Sequence, residues 1–399
     1  MKAFVKVIGA LMLLLGVGSL AFAELTIDVT KGIEGRGIPI AVAPFAGSAP
    51  VDIAGVIASN LKRSGKFAPQ SPDARADYSV TGQANPGGAR GYIVQFQLAG
   101  AQGNPLLNLS FDVPPNQLRP VAHRISDLIY EKLTGEKGLA ATKIAYVIAS
   151  GGFWFLVVAD ADGQNPNVIL RSSQPIMSPS WSPDSSRLAY VSFEGRRPQI
   201  VVQDVYSGAR RVVSAAPGIN GAPSWAPNGQ RLAFTLSKDG NPEVYALDLG
   251  SQNPVRLTNG SSIDTEPVWL PDGSVVFTSD RGGSPQLYRI GSGGGAAQRL
   301  TFEGDYNAKP TVSPDGRYIA MVHRRSGRFH IAVLDMQTRQ FRVLTSGGLD
   351  ESPSFAPNGK MIIYSNGQRL NAVSVDGTIK QDFVLRGNAR DPVWAPYGR

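Results

Sequence analysis

A small α/β domain followed by an all-β six-bladed β-propeller is the fold this sequence predicts. Three observations carry the prediction: a repeat of blade length, four short strands in each unit, and two half-units that complete each other. The repeat is anchored on SPSWSPDSSRLAYVS at 178–192. It returns as GAPSWAPNGQRLAFTLS at 221–237, EPVWLPDGSVVFTS at 266–279, KPTVSPDGRYIAMV at 309–322, SPSFAPNGKMIIYS at 352–365 and DPVWAPYGR at 391–399. The anchors Trp181, Trp225, Trp269, Val312, Phe355 and Trp394 lie 44, 44, 43, 43 and 39 residues apart, the period of propeller blades.

Each unit has a physical reading. Apolar alternation before the anchor gives a first strand, and the anchor's bulk fills the space between neighbouring sheets. Ser/Ala-Pro-Asp/Asn-Gly then forms a turn, with proline presetting φ and glycine closing it. RLAYVS, RLAFTLS, YIAMV and MIIYS follow as second strands; FLVVAD, IVVQD, VYALD, LYRI, IAVLD and AVSVD are third strands. The weaker RVV, VRLT, QRLT and RVLT segments supply a fourth. Four strands make one blade. A linear solenoid would need polar end caps, and none is visible.

The ends of the array predict closure. KIAYVIAS at 143–150 matches a second strand without a first, and the terminal DPVWAPY matches a first strand without a second. Pairing them completes a sixth blade and removes the open edges a linear array would expose.

Taken in order, residues 1–23 read as a secretory signal peptide. Lys2 and Lys6 precede an apolar run too short to span a bilayer, and Ala21-Phe22-Ala23 places cleavage between Ala23 and Glu24. Residues 24–138 form the α/β domain and 139–399 the propeller. ELTIDVTKG, at 24–32, alternates as an edge strand would, and its glycine-rich sequel equally suits an arm captured by another chain. GIPIAVAPF is a buried-type strand; 52–61 has helical spacing; 69–76 is a polar loop; three strands follow within 78–113. Leu118, Val121, Ile125, Leu128, Ile129 and Leu133 form one face of a second helix, stopped at Thr134-Gly135.

No cysteine is present, which excludes disulfides and thiolate metal sites and leaves no acceptor for a lipid anchor. The formal charge of +8 falls to +6 without Lys2 and Lys6, and the basic residues are dispersed. That argues for a solvated surface and no nucleic-acid partner. No segment of the mature chain is apolar enough to span a membrane.

Catalytic constellations are missing. There is no G-x-S-x-G elbow and no H-E-x-x-H, and His123 reads as lying on the polar side of the second helix. Asp184, Asp272 and Asp315 are turn residues of the repeat. Asp160-Ala161-Asp162-Gly163 lacks the remaining ligands of a calcium loop. The expectation is a monomeric binding protein with no catalytic residue, cofactor or metal.

In an up-and-down blade, the fourth-to-first connections and the second-to-third loops emerge on one side. One channel mouth is therefore ringed by Asp264, Glu266, Asp350, Glu351, Arg197, Arg281, Arg324 and Arg325, as loops on a rigid scaffold that recognise partners.

The chain also resembles a known family. The signal peptide, ISDLIYEKLTGEKG, the IAYV start, QPIMSPSWSPD, NGAPSWAPNG, DTEPVWLPDG, LDESPSFAPNG and the terminal DPVWAPY together look like the TolB family of the Tol–Pal system. The resemblance covers nearly the whole mature chain; Val312 in place of an aromatic anchor is a departure. It implies a non-enzymatic periplasmic protein. The mouth would bind the outer-membrane lipoprotein Pal through Ile219, Asn220, Gly221, Ala222, Asp264, Thr265, Glu266, Asp350, Glu351 and Ser352. The mature N-terminus, Glu24, Leu25, Thr26, Ile27, Asp28, Val29 and Thr30, would recruit the inner-membrane protein TolA, which favours the captured-arm reading. Such a protein supports outer-membrane integrity and invagination during cell division. Two other classes stand beside it: an envelope scaffold binding glycan or peptidoglycan, and a propeller hydrolase or lyase.

Overall fold

A computed structural model describes residues 26–31, 37–367, 369–384 and 388–398. The signal segment, the cleavage position at Ala23 and Glu24, and Leu25 lie outside them. Among the described residues, no helix is long and apolar enough to cross a membrane.

The N-terminal unit is a mixed sheet with two helices on it. Strands β2 (Ile38–Val42), β3 (Ala46–Gly47), β4 (Phe67–Gln70), β5 (Tyr78–Gly87), β6 (Gly91–Gly100) and β7 (Pro105–Val113) build the sheet. Its order is β4-β2-β5-β6-β7, with β3 beside β5; the pairings of β2 and β3 are parallel and the rest antiparallel. Helix α1 (Ile53–Arg63) starts where the Asp52 side chain accepts from the Gly55 N–H. Helix α2 (Leu118–Thr134) ends on Gly135 at φ 74°, a left-handed cap that glycine adopts without Cβ strain. The apolar stripes of both helices meet the sheet in one core, with Ile40, Ile57, Leu61, Val80, Leu98, Ile125 and Ile129 shut from solvent. The polar loop expected at 69–76 begins later than predicted. Phe67–Gln70 pairs in parallel with β2, although Pro69 interrupts the run, because this strand sits at the sheet edge where a missing donor costs little.

Six blades follow, as the repeat predicts: five sheets of four strands and a sixth whose four strands are joined by a fifth. The first blade is the composite one: Asn388–Trp394 from the C-terminus pairs antiparallel with Lys143–Ser150. The next four begin at Ile176–Trp181, Asn220–Trp225, Asp264–Trp269 and Asn307–Val312, and the sixth at Glu351–Phe355. Apolar faces of adjacent blades interdigitate; Val191, Trp225, Phe234 and Leu236 form one such seam. Anchor indoles also donate backwards to the preceding blade. Trp225 Nε1 reaches Ser180 O at 3.1 Å and Trp181 Nε1 reaches Val393 O at 3.3 Å, which fixes the blade-to-blade distance.

Strand β1 (Thr26–Lys31) does not join the N-terminal sheet. It pairs antiparallel with Ile379–Val384 and becomes the fifth, outermost strand of the sixth blade. The alternation of ELTIDVTK thus serves an edge strand, on a different sheet from its sequence neighbours.

The two units meet through buried charge. Asp160 and Asp162, at the end of a first-blade strand, face Arg119 and His123 of α2 and Arg63 of α1. His123 lies on the polar side of α2, facing Asp160 and Asp162, yet it is buried at 2% exposure. That polar face is covered by the propeller. Gln381 Nε2 also donates to Arg63 O at 2.8 Å, tying the strand under β1 to α1.

Candidate functional site

The geometry of the channel mouth starts from a repeated backbone feature. Each first strand carries a residue with positive φ immediately before proline: Ser178 at 50°, Ala222 at 46°, Glu266 at 55°, Lys309 at 49°, Ser352 at 53° and Asp391 at 48°. The pairing register shifts at every one of these positions. A bulge with one left-handed residue re-aims a side chain, and for non-glycine residues it costs about 1–2 kcal/mol. Six such bulges put six side chains around a central channel of about 570 Å³, walled also by the prolines that follow.

These ring residues hold one another across blades. Glu266 Oε2 accepts from Thr278 Oγ1 at 2.9 Å and from the Lys309 N–H at 2.8 Å. Ser352 Oγ donates to Asp391 Oδ1 at 2.8 Å, and the Ser178 N–H reaches Asp391 Oδ2 at 3.2 Å. Lys309 Nζ donates to Ser352 Oγ at 3.2 Å. Burial opposes the charge on Lys309, but the carboxylates of Asp391, Glu266 and Glu351 outweigh it and hold the ammonium above its usual range.

The residues predicted for the mouth are brought together on the same end of the propeller, with divided roles. Ile219 is exposed, whereas Asn220 is buried and its amide donates to Ala216 O at 2.7 Å. Gly221 and Ala222 carry the bulge. Asp264 is buried against Arg281 Nη2 at 2.7 Å, and its Oδ1 has no partner. Thr265 Oγ1 meets Thr235 Oγ1 at 3.1 Å. Asp350 is buried at 2% exposure and accepts from Thr345; burial raises its carboxyl. Glu351 and Ser352 open onto the mouth. Asp264, Asn220 and Asp350 therefore shape the loops, while Ile219, Thr265, Glu266, Glu351 and Ser352 are the surface. Ile263, Phe302 and Leu349 add exposed apolar area beside them.

Sequence reasoning missed Lys309, Asp391 and Ser178 as members of this ring. The signal was available: in each repeat they are the residue before the first-strand proline, the place occupied by Ala222, Glu266 and Ser352.

Among the described residues, one cluster has the donor types of a metal site: His123, Asp160 and Asp162, all buried. His123 Nε2 lies 3.6 Å and 3.7 Å from the two carboxylates. Arg119 already donates to Asp162 at 2.5 Å, Lys143 to Asp160, and Arg63 stands 3.8 Å from Asp162. Three cations on two carboxylates leave no negative charge to attract an ion. The cluster is an interdomain ion-pair network.

Comparison with known proteins places this geometry among relatives. A family model described as the TolB beta propeller domain matches residues 130–398, and one described as the TolB amino-terminal domain matches 25–75. The Tol-Pal system protein TolB of Thioalkalivibrio sulfidiphilus is 56% identical, with 98% of each chain covered. That of Nitrosococcus oceani is 54% identical, with 99% of each covered. The crystal structure of TolB from Acinetobacter baumannii superposes with a TM-score of 0.87 at 40% identity, covering 94% of this chain and all of that one.

Proposed function

This chain belongs to the TolB family, and from that membership we propose that it is a non-enzymatic component of the Tol–Pal system whose propeller mouth binds a Pal-like outer-membrane lipoprotein. It works in the periplasm as a monomer and supports outer-membrane integrity and invagination at division. One observation carries the reading. The mouth is a preformed ring whose backbone strain is repeated six times, and exposed Ile219, Ile263, Phe302 and Leu349 stand around it. Strain and exposed apolar area persist where a surface is built for a partner.

The N-terminal arm supplies the second contact. Residues 26–31 lie on the outer edge of the sixth blade, held by backbone pairing, and release from that edge presents Thr26, Ile27, Asp28, Val29 and Thr30 to a TolA-like inner-membrane protein. Glu24 and Leu25 belong to the same arm by sequence. Pal occupancy biases the arm to the extent that it binds the paired and released states unequally.

Calorimetric titration of residues 24–399 against the soluble domain of the Pal-like lipoprotein tests the mouth. Binding weakened roughly tenfold or more by Thr265→Ala with Glu266→Ala is expected, from the usual cost of losing central interface contacts. Unchanged affinity in that variant would refute the assignment. Removing 24–31 should abolish TolA capture and spare Pal binding.

A further inference from the structure

Beside the channel axis, a cavity of about 290 Å³ opens into the mouth at the junction of the fifth and sixth blades. Its walls are apolar. Tyr306 and Phe329 meet edge to face at 5.5 Å, Val322 is buried behind them, and Leu349 stands at the lip, 66% exposed. Its polar groups are Lys309, Asp350 and Glu351. Asp350 is already occupied by Thr345. Lys309 and Glu351 are not satisfied in this way. The ammonium has three donors and gives one to Ser352 Oγ. The Glu351 carboxylate feels the charge of Lys309 but makes no hydrogen bond or ion pair among the described residues.

Resting on the reading of the mouth as the lipoprotein's binding face, we infer that this cavity is the anchor pocket of the interface and that its occupant is a tyrosine side chain of the partner. The chemistry selects it. A phenol offers one donor and one acceptor at the end of a flat apolar ring, so one hydroxyl donates to Glu351 and accepts from Lys309 while the ring fills the aromatic cleft. An arginine would bring its charge against Lys309, and a carboxylate would bring its own against Glu351. A phenylalanine or leucine would dehydrate both polar groups and pair neither, which costs more than its apolar contact returns. Tyrosine is also the residue type that combines large rigid contact area with little rotamer entropy, as interface anchors do.

The test uses residues 24–399 and the soluble domain of the Pal-like lipoprotein, with each exposed tyrosine of that partner changed in turn to phenylalanine. Calorimetry should find one Tyr→Phe change that weakens binding about tenfold or more, the size of lost hydrogen bonds to charged groups. Against the Glu351→Ala chain the same change should cost several-fold less, because only the bond to Lys309 is left to lose. Leu349→Ala, at an exposed lip that bears no folding load, should by itself weaken binding several-fold. Binding by the unchanged chain with no sensitive tyrosine, or with both Leu349→Ala and Glu351→Ala within twofold of it, overturns the tyrosine pocket and leaves the mouth assignment standing. No binding by the folded, unchanged chain overturns the mouth assignment, and the pocket with it.

Discussion

Single residues at the mouth divide into those that hold the loops and those that face outward. Asp264 is 1% exposed and depends on Arg281, so Arg281→Met should lower stability by about 3 kcal/mol in urea unfolding, the cost of stranding a buried carboxylate. Ala222 makes no such pair; its contribution is a backbone at φ 46°. Ala222→Val puts a β-branched side chain into that left-handed bulge and should cost about 2 kcal/mol, read by the same unfolding curve. Glycine there should be tolerated. The sequence made Asp264, Glu266 and Glu351 visible as charged loop residues but hid the rule that organises them. Positive φ before proline cannot be read from one Glu-Pro or Lys-Pro; it shows only when six repeats are stacked on their prolines. The burial of His123 was hidden for a related reason. Helical periodicity assigns a face, and it does not say that a second domain will cover the polar one.

At the scale of elements, the repeat was legible because every blade restates the same strand–turn–strand pattern, and the two orphan strands had no other partner of their own kind. The closing strand Asn388–Trp394 is pinned twice: by its pairing with Lys143–Ser150, and by Trp394 Nε1 donating to Thr142 Oγ1 at 2.9 Å. A chain ending at 387 should therefore expose an open edge on Lys143–Ser150 and lose hydrogen-exchange protection there first. Retained protection in that strand would mean that closure does not depend on the C-terminal segment. Strand β1 was less legible. Alternation in TIDVTK specifies a strand, but nothing local specifies which sheet edge receives it. Its register with Ile379–Val384 is a tertiary fact. The same holds for Phe67–Gln70, where a proline argued for a loop and an edge position permitted a strand.

Across the whole molecule, the junction of the two units links stability to pH. Burial opposes ionisation of Asp160, but the facing His123 and Lys143 outweigh it and hold the carboxyl well below the usual carboxylate range. Folding thus lowers this pKa. The stability it contributes is fully present above the unfolded value, near about pH 4, and is lost as pH falls toward the depressed folded value. Asp160→Asn should lower stability at neutral pH by about 3 kcal/mol and flatten the acid limb of urea unfolding below about pH 4. A limb as steep as in the unchanged chain would move the linkage elsewhere. The same rigid assembly makes the propeller's two ends unlike: bulged, apolar-studded loops at the mouth, and Pro-Asp/Asn-Gly turns at the other end. Hydrogen exchange of residues 24–399, alone and with the soluble Pal-like domain, tests the proposed function most directly. Protection confined to 219–222, 262–266, 305–309 and 349–352, with the turns at 183–186 and 227–230 unchanged, is the expected result. Protection centred on those turns instead, with the mouth unaltered, would contradict it.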